Sequence, residues 1–337
     1  MLDPLYEEEQ NRTPQRLERI RMMTSPLSLI ESAVLKACGS PLQTLTRITD
    51  GFSNEVYRAT TSGGEGVIVR IHWWSNAYFK EEQWALKQCA AHAIPTPRFL
   101  LLEYIGSGDD ARSICVETLL PGRTLYSLIG SKSLSPAEAH PLVKAAGALL
   151  AQIHAIPARG WGRINAEGIG PAPSWSDHLT PSLIENAYAA APKLQLSEQS
   201  ITDAIALLRS HTALFEKMAP CLLHGDFSAQ HILAEGDQVT GCIDFEFSRS
   251  GDPAWDFAYW DYFTGVDTFQ GPLLPTSWLL EGYWQALPTI DPTFDLRIAL
   301  WRLELGLELL AYHHNDFIPD YFQFIGKHFL RSLEALA

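Results

Sequence analysis

Three side chains of this sequence have the types and spacing to do chemistry together: the carboxylates Asp226 and Asp244 and the imidazole His231. Asp226 and His231 lie in the run His224-Gly225-Asp226-Phe227-Ser228-Ala229-Gln230-His231, and Asp244 in Ile243-Asp244-Phe245. Apolar Leu222-Leu223 predicts a strand leading in, and Ile232 to Ala234 predicts one leading out. Glu235-Gly236-Asp237 has the turn chemistry to fold Val239–Ile243 back alongside. Asp244 should therefore return close to His231. A base fixed at a strand end, followed by two metal-binding groups across a hairpin, is the layout that phosphoryl transfer from a nucleoside triphosphate needs. That reaction is catalysed mostly by positioning and by neutralising charge.

The upstream half can supply a nucleotide site. Ile48 to Arg58 reads as strand, turn and strand, with Gly51-Phe52-Ser53-Asn54 at the turn. Small residues there let backbone amides approach phosphate oxygens, although the same four residues also suit an ordinary hairpin. Val67-Ile68-Val69-Arg70-Ile71 predicts a β-branched strand that carries one cation near its end. A helix over about 77–91 follows, on which Glu81 and Glu82 are the two candidate acids of the site and could alternatively be solvated carboxylates that pair with lysines on their own helix. Arg98–Tyr104 and Ser113–Thr118 form a predicted antiparallel pair, and Leu119-Leu120-Pro121-Gly122 then breaks the chain. Below this break the period becomes helical, as in Leu142, Val143, Ala146, Leu149, Leu150 and Ile153, and again in Phe322, Ile325, Phe329 and Leu333. Helices are also expected near Pro181, over Ile201–Lys217 and over Ile298–Tyr312. Strands first and helices after indicate an α+β protein. Its parts would be an extension over 1–24, a sheet-bearing lobe over 25–118 whose first helix is capped by Ser25-Pro26, and a larger helical lobe over 119–337.

The chain resembles the aminoglycoside phosphotransferase and choline kinase family, small-molecule kinases with a bilobal, protein-kinase-like fold. The resemblance rests on His224-Gly225-Asp226, His231, Ile243-Asp244-Phe245 and Gly251-Asp252-Pro253-Ala254-Trp255-Asp256-Phe257-Ala258 in that order, and it covers roughly residues 45–335. It implies that Asp226 orients the acceptor hydroxyl and takes its proton, while His231 and Asp244 hold the Mg ion that bridges the ATP phosphates. Arg70 takes the place of the usual phosphate-contacting lysine, with Glu82 as its acidic partner. Ser53 and Asn54 lie in the turn over the phosphates, and backbone groups from Thr118 to Leu120 meet the adenine edge. Most members carry Asn where this chain has His231, although certain kinases of aminoglycosides and macrolides also carry His. An imidazole favours Mn or Zn over Mg. GTP stays open as an alternative donor.

Composition narrows the partners. A net charge of −14 argues against nucleic acid, whose phosphates are bound through excess Lys and Arg, and it permits a cationic small-molecule acceptor. No apolar run approaches the ~20 residues of a membrane span, and the start of the chain lacks a leader pattern, so the expected location is the cytoplasm. Five scattered cysteines read as reduced core thiols. Glu304 and Glu308, one helical turn apart, either line an acidic acceptor cleft together with Asp261 or form a solvated face. His224 suits a backbone hydrogen bond, His154 a packed position, Asp252 a helix N-cap and Asp256 a brace for the catalytic loop. Two further classes fit part of the pattern. A metal-dependent phosphate-ester hydrolase could use His224, Asp226, His231 and Asp244 as ligands. A nucleotide-binding regulator without transfer activity would account for Arg70 and His231 replacing commoner residues.

Overall fold

Alternating β-branched and apolar residues gather the first part of the chain into one antiparallel sheet. The computed structural model describes residues 24–48, 54–72, 79–107, 111–265, 273–287, 290–312 and 319–336. Helix α1 (Leu27–Cys38) precedes strands β1 (Leu42–Ile48), β2 (Glu55–Thr61) and β3 (Gly66–His72). Helix α2 (Phe79–Ala91) then leads to β4 (Phe99–Ile105) and β5 (Arg112–Thr118). The strands order as β1-β2-β3-β5-β4, so β3 lies at the centre, paired on both sides. Val67, Val69 and Ile71 of β3 are fully buried under α1, through Ile30 and Val34. Side chains alternate across a strand, so the residue between Val69 and Ile71 projects from the opposite face. That residue is Arg70.

Ser25 does not cap α1 as its sequence suggests. Its N–H donates to Glu55 Oε2 at 3.0 Å and its hydroxyl to Glu55 Oε1 at 3.2 Å, which ties the helix entry to β2. Residues 1–23, which hold most of the expected extension, lie outside the described residues.

Beyond the break at Pro121 and Gly122, the short strand β6 (Arg123–Thr124) and helix α3 (Leu125–Gly130) open the helical part. Helix α4 (Pro136–His154) starts with a reciprocal cap in which Ser135 Oγ accepts Glu138 N–H at 3.3 Å and Glu138 Oε2 accepts Ser135 N–H at 2.8 Å. Its predicted apolar face is buried from Leu142 to Ile153. After β7 (Gly162–Arg163) come the short helix α5 (Trp175–His178) and α6 (Pro181–Ala190). The single helix expected over 201–217 is two, α7 (Glu198–Ser210) and α8 (Thr212–Phe215). It starts early because Ser197 Oγ accepts Ser200 N–H at 3.0 Å, and it is interrupted at His211. Strands β8 (Cys221–Leu223), β9 (Ile232–Glu235), β10 (Gln238–Cys242) and β11 (Arg249–Gly251) carry the predicted motif. Helices α9 (Ala254–Trp260), α10 (Thr276–Ala286), α11 (Phe294–Tyr312) and α12 (Pro319–Leu336) close the fold. Helix α10 packs on α4, and α11 is enclosed by α6, α9 and α12.

The architecture is thus α+β, with sheet first and helices after. Among the described residues no helix is long and apolar enough to cross a membrane. All five cysteines are unpaired, and four of them are buried.

Candidate active site

Strand β8 delivers His224 and then turns sharply at Gly225, whose φ is +83°. A Cβ at that position would lie 1.9 Å from the Phe247 carbonyl oxygen, so only glycine fits. The turn is held from beneath by Asp256 of α9. Its Oδ2 accepts His224 N–H at 2.8 Å, its Oδ1 accepts Gly225 N–H at 2.9 Å, and Oδ2 also meets His154 Nε2 at 3.0 Å. His154 in turn meets the Tyr283 hydroxyl at 3.1 Å. The ring of His224 accepts Asp226 N–H at Nδ1 (3.2 Å) and donates from Nε2 to the Ile243 carbonyl (3.0 Å), so one neutral tautomer satisfies both ends. Burial pushes its pKa down to about 4. His224 therefore works as a strut between the loop of Asp226 and the strand that precedes Asp244.

The hairpin of β9 and β10 closes as the turn chemistry implies, and Ile243 N–H donates to the His231 carbonyl at 2.9 Å. Asp244 then adopts φ +69°, a left-handed conformation that Asp tolerates better than most residues. His231 Nδ1 donates to the Asp226 carbonyl at 2.8 Å, which turns Nε2 toward Asp244 Oδ2 at 3.5 Å. The Asp226, His231 and Asp244 side chains keep 18, 14 and 34% exposure, enough to be reached from the cleft. Burial lifts the Asp226 carboxyl to about 6; the His231 imidazole and a hydrogen bond from the Tyr259 hydroxyl oppose the rise, and the Asp244 charge adds to it. Burial would lower the His231 imidazole, but Asp226 and Asp244 outweigh it and hold the ring above its ordinary value.

From the sheet, Arg70 reaches across to the same cluster. Its Nη1 lies 2.7 Å from Glu82 Oε1 of α2 and 3.7 Å from Glu117 Oε2 of β5, and its Nη2 lies 3.5 Å from both Asp244 and Glu246. Of the two candidate acids on α2, Glu82 is the buried one. Its Oε1 also accepts Phe245 N–H at 3.3 Å, so one carboxylate oxygen joins the sheet cation to the Asp244 loop. Burial lifts both Glu82 and Glu117 against the pull of Arg70. Asn54 donates to Glu246 at 3.3 Å, whereas Ser53, with Gly51 and Phe52 of the same turn, lies outside the described residues. Thr118 and Leu120 are half-buried where the sheet gives way to β6, and Thr118 N–H is taken by the Arg98 carbonyl at 3.0 Å.

The three acidic candidates for the acceptor are each held by other side chains of the protein. Asp261 pairs with Arg302 at 2.8 Å and accepts the Thr276 hydroxyl at 2.5 Å. Glu304 has no exposed surface, and Glu308 pairs with Arg249 at 2.8 Å, so neither belongs to a solvated face. Asp252 accepts Ala254 N–H at 3.2 Å, but it also pairs with Arg297 and accepts Trp301 Nε1 at 2.8 Å, so its larger role is to anchor α11. Glu117 and Glu246 escaped the sequence reading and are recognisable only once the cleft is assembled. His154, expected as a packed residue because it ends an apolar helical face, is buried as expected but also serves Asp256.

A sheet cation brought onto a carboxylate–imidazole–carboxylate cluster, with a helix bracing the loop between, is a kinase-like arrangement. The chain belongs to the phosphotransferase enzyme family (APH), whose model matches residues 44–278. It is 23% identical over 199 residues to the hygromycin-B 4-O-kinase of Escherichia coli, an alignment that covers 58% of this chain and 55% of that protein. The chain thus spans about half the length of that curated relative. Its fold resembles a thermostable mutant of aminoglycoside phosphotransferase APH(4)-Ia in ternary complex with AMP-PNP and hygromycin B, with a TM-score of 0.65, 18% identity and coverage of 91% of this chain and 97% of that one. It also resembles amicoumacin kinase hAmiN in complex with AMP-PNP, Ca2+ and Ami, with a TM-score of 0.61, 15% identity and 96% of each chain covered.

Proposed function

We propose that this protein transfers the γ-phosphoryl group of ATP to a hydroxyl of a small molecule, an antibiotic or a metabolite alcohol, with a divalent cation as cofactor. The observation that carries this reading is the reach of Arg70 from the central strand to Asp244, which brings a phosphate-binding cation to the edge of the Asp226–His231–Asp244 cluster. In this reading the lobes over 25–118 and 119–337 face each other across the cleft, and backbone groups from Thr118 to Leu120 meet the base. Arg70 steadies the α- and β-phosphates, and the turn that ends at Asn54 lies over them.

The donor set fits a divalent ion: with Nδ1 engaged by the backbone, His231 turns toward Asp244 the nitrogen, Nε2, that would bind an ion in exchange for its proton. Mg or Mn held there would neutralise charge on the transferring phosphates. Asp226 accepts the acceptor hydroxyl proton, and the Tyr259 hydroxyl hydrogen-bonded to it fixes its orientation. For the acceptor itself we favour the side of the cleft at half-buried Tyr259, whose ring stacks at 5.4 Å on buried Trp255, over Asp261, Glu304 and Glu308, which pair with Arg302, His178 and Arg249. The printed ligands of the relatives, hygromycin B among them, make hydroxylated antibiotics the first compounds to try.

The test is ADP release from purified protein against a panel of cationic and neutral alcohols, with ATP and GTP compared as donors. Acceptor-dependent ADP release is expected, and Asp226→Ala should lower kcat by about 10²–10⁴-fold, the usual contribution of a positioned base, while ATP still binds. Undiminished turnover in Asp226→Ala would refute the assignment of the base. Phosphate release from simple esters without nucleotide would favour the hydrolase, and nucleotide-induced stabilisation with no turnover on any acceptor would favour the regulator.

A further inference from the structure

Apart from Asp226, His231 and Asp244, the described residues hold one cluster with the composition of a metal site. His178 at the end of α5 faces Glu304 and Glu308 on α11, and one ligand atom from each of the three lies within 4.8 Å of the other two. We propose that these residues bind a transition-metal dication, zinc or manganese, that pins α5 to α11. This proposal is independent of the kinase reading and shares no residue with Asp226, His231 or Asp244.

The geometry is close to what the ion needs. A tetrahedral zinc with bonds of about 2.0–2.1 Å sets its ligand atoms roughly 3.3 Å apart. His178 Nε2 already stands 3.1 Å from Glu304 Oε1, so only Glu308 has to draw inward. Glu304 and Glu308 are spaced i and i+4, which places both carboxylates on one side of the helix. The imidazole is seated by two neighbours. Trp301 lies at 6.2 Å between ring centroids, and Gly162, at φ +95°, packs so closely that a Cβ there would come within 3.2 Å of His178 Nδ1.

Hydrogen bonding supplies the second argument. Glu304 has no exposed surface and its one close cationic partner is His178 Nε2 at 3.1 Å, while Glu304 Oε2 and Glu308 Oε2 accept no hydrogen bond. Arg249 occupies the other Glu308 oxygen and balances one of the two charges. A buried carboxylate with no donor is strongly unfavourable unless a cation or a proton neutralises it. The oxygens left over point at the one ring nitrogen that can share an ion with them. One imidazole with two carboxylates suits zinc or manganese, whereas calcium and magnesium favour all-oxygen shells.

The experiment uses the full chain carrying His231→Asn and Asp244→Asn, so that the cleft does not contribute, stripped with a chelator and titrated with ZnCl2 or MnCl2 alone. Calorimetry with elemental analysis should give one ion per chain, and Tm should rise with metal. Adding His178→Gln or Glu304→Gln should weaken binding by at least tenfold and abolish the Tm rise, with circular dichroism confirming the fold. Should Glu304→Gln fail to fold, His178→Gln carries the test, because His178 sits at the end of a four-residue helix. Absence of binding by either metal overturns the proposal, as does binding that both substitutions leave unchanged. Neither readout involves turnover, so failure here is distinct from failure of the kinase assignment.

Discussion

Asp256→Asn isolates the positioning of the base from its chemistry. Asp256 Oδ2 takes His224 N–H and His154 Nε2, and Oδ1 takes Gly225 N–H. An Asn can place its carbonyl oxygen at the Oδ2 position and keep two contacts. Its amide then points an N–H at the N–H of Gly225. The loss is one charge-assisted bond of about 1.5–3 kcal/mol plus about 1–3 kcal/mol for the orphaned buried donor. A destabilisation of roughly 2.5–6 kcal/mol follows, against the about 5–15 kcal/mol that holds a typical protein folded. Tm should fall by several degrees and the protein should remain folded. Because the loosened turn carries Asp226 but not Arg70, kcat should fall by at least tenfold with the KM for ATP nearly unchanged. Differential scanning fluorimetry and steady-state kinetics on purified Asp256→Asn decide it. An unchanged Tm, or a loss confined to the KM for ATP, would show that the brace is not what positions the base.

Further outcomes are expected. Asp226 must be ionised to accept a proton, and its pKa stands at about 6, so kcat/KM should be full above that value and fall as pH drops through it. His231 is held above its ordinary value, so protons should also compete with metal there, and the acid limb of log kcat/KM should approach a slope of two. His231→Asn removes one of these protons, and the slope should become one while metal preference moves from Mn toward Mg; identical limbs in both proteins would exclude His231 from the site. Glu82→Gln should raise the KM for ATP more than it lowers Tm, because it loosens Arg70 and the Phe245 amide at once; an unaltered KM would separate Glu82 from the nucleotide. Ser135→Ala should cost about 0.5–2 kcal/mol by chemical denaturation, through loss of the α4 cap, with no kinetic effect.

Local pattern made much of this fold legible. The β9–β10 hairpin, the central strand under Arg70 and the buried face of α4 each follow from residue spacing within a few positions. Glu82 over Glu81 could be proposed from resemblance but is decided by which face of α2 packs inward. Legibility ended where partners come from distant segments. Ser25 is engaged by Glu55 of β2 rather than by its own helix, and His154 serves Asp256, a hundred residues on, instead of only filling space. Glu304 and Glu308 carry charge that suggests water, yet the elements around α11 enclose one and pair the other. No periodicity encodes such long-range enclosure.

Arg70 stands among four carboxylates before any nucleotide arrives. On the proposed reading, docking of a triphosphate would be an exchange of counter-ions and not a simple addition: the acids would discourage stray small anions from lodging on the guanidinium, and a ligand that brings its own divalent cation would relieve the crowding they create. The protein should accordingly ignore millimolar sulfate or phosphate and respond to the metal–nucleotide complex, a discrimination set by its own excess of negative charge.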